Sequence, residues 1–449
     1  MGRAKEWMME QEERGWWSRP DRYVCADCLD DDVLKALIAE HAEADECDYC
    51  GSSSSNGEPI AAPFDVVMEV IAAGIYKEWN AADNEGIPYE TREGGYQCPT
   101  TDTYDLVQDY VPAENDALFK EIRDCLPDQE WCERDYYQLS PYRSLSFGWE
   151  RFCDVVRHQR RYLFGGNMDR RVIRPSSVEA IDIEPDESAG VQSETLHLDD
   201  DERRPDEMLR TIGQLVIDAG LLKCVPPGTR FKRARIHSAS RRFRSSTALG
   251  PPPPTKARYA NRMSPAGIPM FYGALDGYTA VAETQTGRIK KSEIISVAEF
   301  LSVKEFWVVD LSTLPRIPSR FSESSRYERG AIRFLHDFVS DLSKPVKRDG
   351  REHIEYVPTQ IVTEYFRHAF NPGSNREMRG LYYPSSRVKM GIACVLFFDQ
   401  ENCGAKPKSK WVWSKPEQWL RLEEHGLLRC RGRPLRDKPG PNQRGLFPR

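Results

Sequence analysis

The sequence predicts a mixed α+β protein of several domains, and three observations support this prediction. The chain has 449 residues, more than one domain usually holds, and a hydrophobic fraction of 39% that is enough for packed cores. Helical periodicity dominates residues 60–165. From about residue 228, short apolar runs bounded by Gly, Pro and Asp alternate with helical patterns, which is typical of an α/β or α+β domain.

The elements follow from the spacing of apolar residues. A period near 3.6 predicts helices over 63–79, 115–126, 146–164 and 206–222. In the C-terminal half, apolar runs predict strands over 231–236, 270–274, 305–311 and 391–399, and helical patterns predict helices over 278–286, 326–342 and 359–369. The sequence of 411–422 predicts a short helix that packs against this C-terminal domain.

Composition divides the chain into five segments. They are a cysteine-rich module (1–57), a helical domain (58–165), an acidic linker with a connecting helix (166–227), an α+β domain (228–403) and a basic tail rich in Pro and Arg (404–449). Residues 179–207 carry twelve acidic and two basic side chains, a net charge of −10. Residues 401–449 carry twelve basic and five acidic side chains, a net charge of +7.

Several classes of protein are not expected. No apolar run approaches the roughly 20 residues of a membrane span, and the N-terminus lacks the apolar region of a secretory signal, so we expect a soluble, cytoplasmic protein without a membrane partner. A net charge of −7 argues against a dedicated nucleic-acid partner. The glycine-rich nucleotide loops and the common hydrolase motifs are absent.

Four cysteines have the spacing of a metal site. Cys25 and Cys28 are separated by two residues, as are Cys47 and Cys50, and 18 residues lie between the two pairs. This pattern predicts a tetrahedral zinc site with four thiolate ligands and no open position, hence a structural one. The alternative is four unrelated thiols in a chain that contains 12 cysteines.

A second pattern concerns the helix predicted over 146–164. Arg151 and His158 are seven residues apart, two turns along one face, opposite a stripe of Trp149, Phe152 and Val156. Such a pair could cleave RNA, with His as the general base and Arg on the phosphate. The alternative, which we favour, is a solvated face in an Arg-rich stretch.

Short motifs from 228 to 400 resemble the RES domain. They are RARI, NRMSPAGIPMFYGALDGYTAVAE, YVPTQ and GLYYPSSR, which occur in the family's order. The resemblance implies an ADP-ribosyltransferase-like fold and an enzyme that acts on NAD+ by phosphorolysis, hydrolysis or ADP-ribosyl transfer. RES proteins include toxins of bacterial toxin–antitoxin systems. The resemblance therefore also implies a toxin or defence effector with an antitoxin or regulatory partner, or one that forms a homo-oligomer.

The resemblance also assigns roles to individual residues. Arg233, with Arg262 as a second candidate, would hold phosphate charge, and Tyr272 would orient the nicotinamide. Glu283 would stabilise the oxocarbenium ion on the ribose. Ser385 would bind phosphate or ribose, with Ser386 as its neighbour. Because the family includes a phosphorylase, phosphate is the expected co-substrate.

The N-terminal half resembles the helical HEPN-type domain that often precedes RES domains. The stretch WERFCDVVRHQRRYLF carries this resemblance, over roughly 60–165. Domain order therefore suggests that the helical and cysteine modules gate the C-terminal site, sense a trigger or drive oligomerisation. Two other classes of function stay open: a ribonuclease centred on Arg151 and His158, and a non-enzymatic nucleic-acid-binding protein that uses the zinc module and the basic tail.

Overall fold

The computed structural model describes residues 3–92, 94–161, 205–241, 243–285, 289–344, 350–373, 376–404, 417–423 and 428–430. They belong to two compact units. The first unit contains Met1–Leu145 and Arg316–Phe334, and the second contains Ser146–Pro315 and Leu335–Arg449. Residues 166–204, which are nearly all of the acidic stretch predicted as a linker over 166–205, and most of the predicted basic tail lie outside the described residues.

The first unit contains five helices that lie wholly within it among its described residues. These are α1 (Arg3–Arg14), α2 (Asp32–Glu40), α3 (Phe64–Glu78), α4 (Thr103–Tyr110) and α5 (Asp116–Cys125), and α6 (Pro141–Asp154) begins here. Strands β1 (Tyr23–Cys25) and β2 (Ala61–Pro63) pair antiparallel, as do β4 (Tyr89–Glu90) and β5 (Gly95–Tyr96). A three-stranded sheet has the order β3 (Trp79–Ala81), β7 (Glu130–Glu133), β6 (Thr101–Asp102).

Local sequence explains these helices. The predicted stripe on α3 is buried at Val67, Ile71 and Ile75, and α5 begins where the Asn115 side chain accepts hydrogen bonds from two backbone N–H groups. The prediction that 60–165 is helical is nevertheless incomplete, because it missed β2 to β7. Strands of two to four residues are too short to produce a recognisable period of two.

One hydrophobic core runs through the first unit. It contains Val24, Cys28 and Leu34 from the cysteine-rich segment together with Ile71 and Leu118 from the helices. The cysteine-rich and helical segments therefore pack as one body, although the five segment boundaries drawn from composition remain predictions.

The second unit is built on a mixed sheet. Its strands are β8 (Leu222–Val225), β9 (Arg230–Ser238), β10 (Phe271–Ala274), β11 (Glu293–Ser302), β12 (Phe306–Asp310), β13 (Met378–Pro384), β14 (Ile392–Leu396), β15 (Leu420–Leu422) and β16 (Leu428–Cys430). The order is β15–β11–β9–β10–β14–β13–β12–β8, and β16 also pairs with β11. Strands β12 and β13 are parallel, and the other pairings are antiparallel.

Six α-helices of the described residues precede or separate these strands along the chain. They are α7 (Pro205–Asp218), α8 (Ser246–Leu249), α9 (Gly277–Thr284), α10 (Arg326–Ser343), α11 (Glu352–Glu355) and α12 (Val357–Glu364). The part of α10 up to Phe334 belongs to the first unit. Two helices end in a π-helical turn: α6 continues into Val155–Gln159 and α12 into Tyr365–Ala369. No helix in the described ranges is both long and apolar enough to span a membrane.

The strand predictions over 231–236, 270–274, 305–311 and 391–399 are confirmed, and the mixed α+β class holds. The ten-residue strand β11 was missed. Eight of its ten residues are buried, so its sequence lacks the alternation that marks a half-exposed strand. The short helix predicted over 411–422 is wrong at its C-terminal end, where Leu420–Leu422 is a strand paired with β11; residues 411–416 lie outside the described residues.

Candidate active site

A cleft of about 480 Å³ opens on the sheet of the second unit. Strands β9, β10 and β13 contribute Arg233, Tyr272 and Tyr383, and helix α9 contributes Glu283. The loop between β9 and β10 closes one side with Pro252, Lys256, Ala257, Arg258, Tyr259 and Asn261. The sheet order places β9 beside β10, so residues far apart in sequence meet at one surface.

Arg233 anchors this loop to the sheet. Its Nε donates to the Leu249 carbonyl at 3.1 Å, and its guanidinium also donates to the Tyr272 carbonyl. Burial and the neighbouring Arg235 lower the pKa of Arg233 to about 10, so the group is still a cation at neutral pH. No carboxylate of the described residues lies within ion-pair distance of Arg233, which leaves its charge available to an anion.

Arg235 repeats this arrangement two residues further along β9. Its guanidinium donates to the Ala248 carbonyl and lies 5.4 Å from the centroid of the Phe243 ring. Burial lowers the pKa of Arg235 as well. Alternate residues of a strand share a face, so both guanidinium groups line the cleft.

Two tyrosines form the inner wall. The Tyr272 hydroxyl is hydrogen bonded to Ser264 Oγ at 2.9 Å, and burial raises the pKa of Tyr272 above its ordinary value of 10. Burial likewise raises the pKa of Tyr383, with the charges of Tyr272 and Glu283 adding to the effect. Both hydroxyl groups are therefore neutral near pH 7, where they can donate or accept hydrogen bonds.

Glu283 receives a hydrogen bond from a distant part of the chain. Ser385 Oγ donates to Glu283 Oε1 at 2.5 Å. The same Oγ accepts from the backbone N–H groups of Arg387 and Val388, each at 3.2 Å. Because two donors fix the hydroxyl oxygen, its proton is directed at the carboxylate. Ser385 is not itself a lining residue, and Ser386 is exposed in the same turn.

Arg262 occupies a different position from the one expected. Its two terminal nitrogens donate to the carbonyls of Ser343 and Lys344, each at 2.9 Å. It lines a separate cavity of about 440 Å³ rather than the cleft. The structure therefore brings Arg233, Tyr272 and Glu283 together, links Ser385 to them through Glu283, and leaves the Arg262 guanidinium apart.

Sequence reasoning missed four lining residues: Arg235, Lys256, Arg258 and Tyr383. Arg235 and Tyr383 stand inside the RARI and GLYYPSSR motifs, and the i, i+2 spacing from Arg233 could have identified Arg235. Lys256 and Arg258 lie in the loop between β9 and β10, where no sequence pattern marks them as cleft residues. With them the cleft has four basic side chains and one carboxylate, a balance that suits a ligand carrying phosphate groups.

The four predicted metal ligands do converge. Adjacent sulfur atoms are 3.8 Å apart for Cys25 and Cys28, 3.7 Å for Cys28 and Cys47, and 3.4 Å for Cys25 and Cys50. A tetrahedral ion with metal–sulfur bonds of about 2.3 Å requires separations of about 3.8 Å. Burial raises the pKa of Cys25 to about 12, so its thiolate needs a nearby cation. The cluster could therefore bind a metal ion.

The pair Arg151 and His158 lies where the helix changes type. The predicted stripe of Trp149, Phe152 and Val156 is buried, as expected. However, Arg160 N–H bonds to the Val155 carbonyl at 2.9 Å, an i→i+5 bond that interrupts the α-helical spacing between the pair. His158 is exposed and lines the cavity that contains Arg262, and Arg151 is not among the lining residues.

Comparison with known protein families gives two matches. Residues 40–170 match the HEPN/RES N-terminal domain 1, and residues 231–420 match the RES domain. Arg233, Tyr272, Glu283 and Ser385 all fall within the RES match, whereas Cys25 and Cys28 precede the N-terminal one. No curated protein and no solved structure matches the chain.

Proposed function

Because this chain is a RES-domain protein with an N-terminal HEPN/RES-associated domain, we propose that it degrades NAD+ by cleaving the bond between nicotinamide and ribose. The observation that carries the proposal is the pairing of an oriented carboxylate, Glu283, with a basic cleft that includes Arg233 and Arg235. RES domains are associated with NAD+-processing activity of a toxin type. We propose ADP-ribosyltransferase-like chemistry for this cleft.

The reaction needs an anion near the ribose. As the bond to nicotinamide lengthens, positive charge develops on the ribose ring, and a fixed carboxylate stabilises that charge more in the transition state than in the ground state. Glu283 fits this role because the Ser385 hydrogen bond holds its orientation before substrate arrives. Nicotinamide then leaves as a neutral molecule, so no general acid is required.

Substrate binding follows from the rest of the cleft. Arg233 and Arg235 present guanidinium groups to the pyrophosphate, which arginine binds through paired N–H donors. Tyr272 and Tyr383 offer ring surface and neutral hydroxyl groups for the nicotinamide and its ribose. Tyr259 is 84% exposed at the rim, where it can cover a bound base.

We propose inorganic phosphate as the acceptor. A phosphate oxygen attacks the anomeric carbon as the carbon–nitrogen bond breaks, which gives nicotinamide and ADP-ribose 1″-phosphate without any redox change. Lys256 and Arg258, in the loop between β9 and β10, supply positive charge that can bind this second phosphate. Water in place of phosphate would give ADP-ribose, and a protein side chain would give a modified protein.

The proposal includes a metal and a cellular setting. We propose that Cys25, Cys28, Cys47 and Cys50 hold a structural zinc ion, since four thiolates leave no open coordination position. An enzyme that consumes NAD+ harms its own cell, so we propose a cytoplasmic toxin or defence effector. An antitoxin, another regulatory partner or self-association would restrain it.

The test is NAD+ turnover by the purified full chain, with and without phosphate, followed by phosphorus NMR. We expect NAD+ loss with a new ADP-ribose 1″-phosphate signal, and a fall of at least 100-fold in Glu283→Gln. Glu305→Gln is the matched control, because Glu305 is an exposed carboxylate outside the cleft.

Other results would redirect the proposal. Turnover that does not depend on phosphate would identify a hydrolase or a transferase. If the chain leaves NAD+ intact but cleaves RNA, and His158→Ala abolishes that cleavage, the protein is a ribonuclease and not an NAD+-degrading enzyme.

A further inference from the structure

A second basic cavity lies in the first unit, whereas the residues assigned to NAD+ belong to the second. It has a volume of about 280 Å³. Its walls are the C-terminal ends of α3 and β7, the start of β3, the first turn of α6 and the N-terminal part of α10 up to Arg333. Four arginines and two glutamates line it: Arg143, Arg326, Arg329, Arg333, Glu78 and Glu133. The lining therefore carries two more positive than negative charges.

The glutamates do not fully engage these arginines. Glu133 is shared, with its carboxylate 3.3 Å from Arg143 and 3.9 Å from Arg326. Glu78 lies 3.6 Å from Arg329. These separations exceed the roughly 2.7–2.9 Å of a charge-assisted hydrogen bond, so N–H groups of the arginines are still free to take a closer acceptor.

Arg333 has the most available charge. Its guanidinium lies 4.1 Å from the centroid of the Tyr142 ring, and no carboxylate of the described residues is within ion-pair distance. The Tyr142 ring holds the planar group in place without neutralising it. Arg329 is 18% exposed, and burial lowers its pKa, which shows that it is held in a poorly solvated site.

The cavity wall is set by close packing of two helices. A Cβ added at Gly330 would lie 3.0 Å from the Tyr142 backbone nitrogen and 3.3 Å from Pro141 Cβ. The start of α6 and the second turn of α10 therefore approach closely, which fixes the backbone position of Arg143 relative to those of Arg329 and Arg333. The helices that carry these arginines then need no rearrangement when an anion binds.

We propose that this cavity is a binding site for a small phosphate-bearing ligand, distinct from the NAD+ cleft. Its volume is at the lower end of ligand pockets, which suits a phosphate, a pyrophosphate or the phosphate of a nucleoside monophosphate. Planar guanidinium groups match phosphate oxygens in pairs. The proposal does not depend on the reaction assigned to the other unit.

The test is calorimetric titration of the full chain at low ionic strength with inorganic phosphate, pyrophosphate and AMP. We expect Arg333→Ala and Arg143→Ala each to weaken binding about tenfold, the effect of losing one charge-assisted contact. Arg316→Ala is the matched control, because the Arg316 side chain is 93% exposed and outside the cavity. Titrations are repeated in Arg235→Ala/Lys256→Ala/Arg258→Ala, which removes three of the four basic side chains of the NAD+ cleft, so that phosphate bound in that cleft is identified.

Glu133→Gln gives a test that misfolding cannot imitate. Removal of the shared carboxylate frees Arg143, whereas Arg326 stays 3.6 Å from Asp135 and keeps its bond to the Arg134 carbonyl. We therefore expect tighter phosphate binding through Arg143, whereas a purely structural ion-pair network would give no gain. Equal affinities for phosphate and AMP would assign free phosphate as the ligand, and tighter AMP binding would assign a phosphate ester. No binding by any of the three, or affinities unchanged in Arg333→Ala and Glu133→Gln, would overturn the proposal.

Discussion

At the scale of single residues, Ser385 joins a turn to the carboxylate proposed to stabilise the ribose cation. Its hydroxyl contacts Glu283 and two backbone N–H groups at once. Ser385 is 102 residues from Glu283 in sequence, so its effect on the carboxylate depends on the folded state. We therefore propose that Ser385 is a positioning residue for Glu283, rather than a residue that contacts phosphate or ribose directly.

Ser385→Ala should therefore reduce turnover more than binding. Loss of a hydrogen bond to a charged group is worth about 1.5–3 kcal/mol, so we expect kcat for NAD+ to fall roughly 10- to 100-fold with little change in KM. Ser385→Thr, which keeps the hydroxyl, should recover part of the rate. Ser240→Ala on an exposed loop is the control. A rise in KM at constant kcat would show instead that Ser385 binds substrate.

At the scale of elements, helix α12 holds the loop that closes the cleft. Gln360 Nε2 donates to the Asn261 carbonyl at 2.8 Å, and Thr359 Oγ1 donates to the Arg262 carbonyl. Asn261 lines the cleft, while the Arg262 side chain extends to the carbonyls at the end of α10. The backbone at 261–262 is thus fixed from two sides.

Gln360→Ala should loosen this loop. The Asn261 carbonyl would lose this donor and keep the longer bond of 3.3 Å from the Ser264 N–H. Loss of one such hydrogen bond costs about 0.5–1.5 kcal/mol of stability, and we expect a higher KM for NAD+ with a smaller change in kcat. Thermal unfolding and steady-state kinetics measure both effects. Gln214→Ala is the matched control, because Gln214 Nε2 donates to Asp218 within helix α7 and not to the loop. An unchanged KM would show that the loop does not shape the cleft.

The cysteine cluster lies beside the β1–β2 pair, and Cys25 is the last residue of β1. We expect one zinc ion per chain, and its loss in Cys28→Ser, because the sulfur of Cys28 is close to those of Cys25 and Cys47. Loss of several kcal/mol of binding free energy should lower the melting temperature of the first unit by about 10 °C or more. Elemental analysis and calorimetry measure these changes. Cys98→Ser, in the same unit but outside the cluster, should keep the metal.

At the scale of the whole molecule, the two compact units do not follow the order of the sequence. Residues 316–334 lie inside the RES match but belong to the first unit, and residues 146–161 lie inside the N-terminal match but belong to the second. A cut at one point of the chain therefore cannot separate the units. A truncated chain used to test gating would lose or disrupt part of each unit.

A fragment of residues 225–449 should fold poorly. It lacks α7, with buried Leu209, Ile212 and Val216, and nearly all of β8, which pairs with β12. A fragment of residues 205–449 keeps both, so we expect it to resist proteolysis better and to show more ordered circular dichroism. Equal protection of the two fragments would show that α7 and β8 add nothing to the stability of the sheet.

The sequence by itself determined features that depend on local spacing. The apolar period predicted α3 and α5, and the cysteine spacing predicted the sulfur cluster. Through the resemblance that they carry, short motifs also made Arg233, Tyr272, Glu283 and Ser385 the candidate site residues. These patterns are readable because a helix face or a ligand pair is defined within a few residues.

Only the tertiary structure decided which side chains meet. It placed Arg235 in the cleft and the Arg262 guanidinium outside it, joined Ser385 to Glu283, and assembled the arginine cavity of the first unit. It also assigned 316–334 to the first unit. Such contacts depend on strand pairing and helix packing between residues far apart in sequence, which the local spacing of apolar residues does not predict.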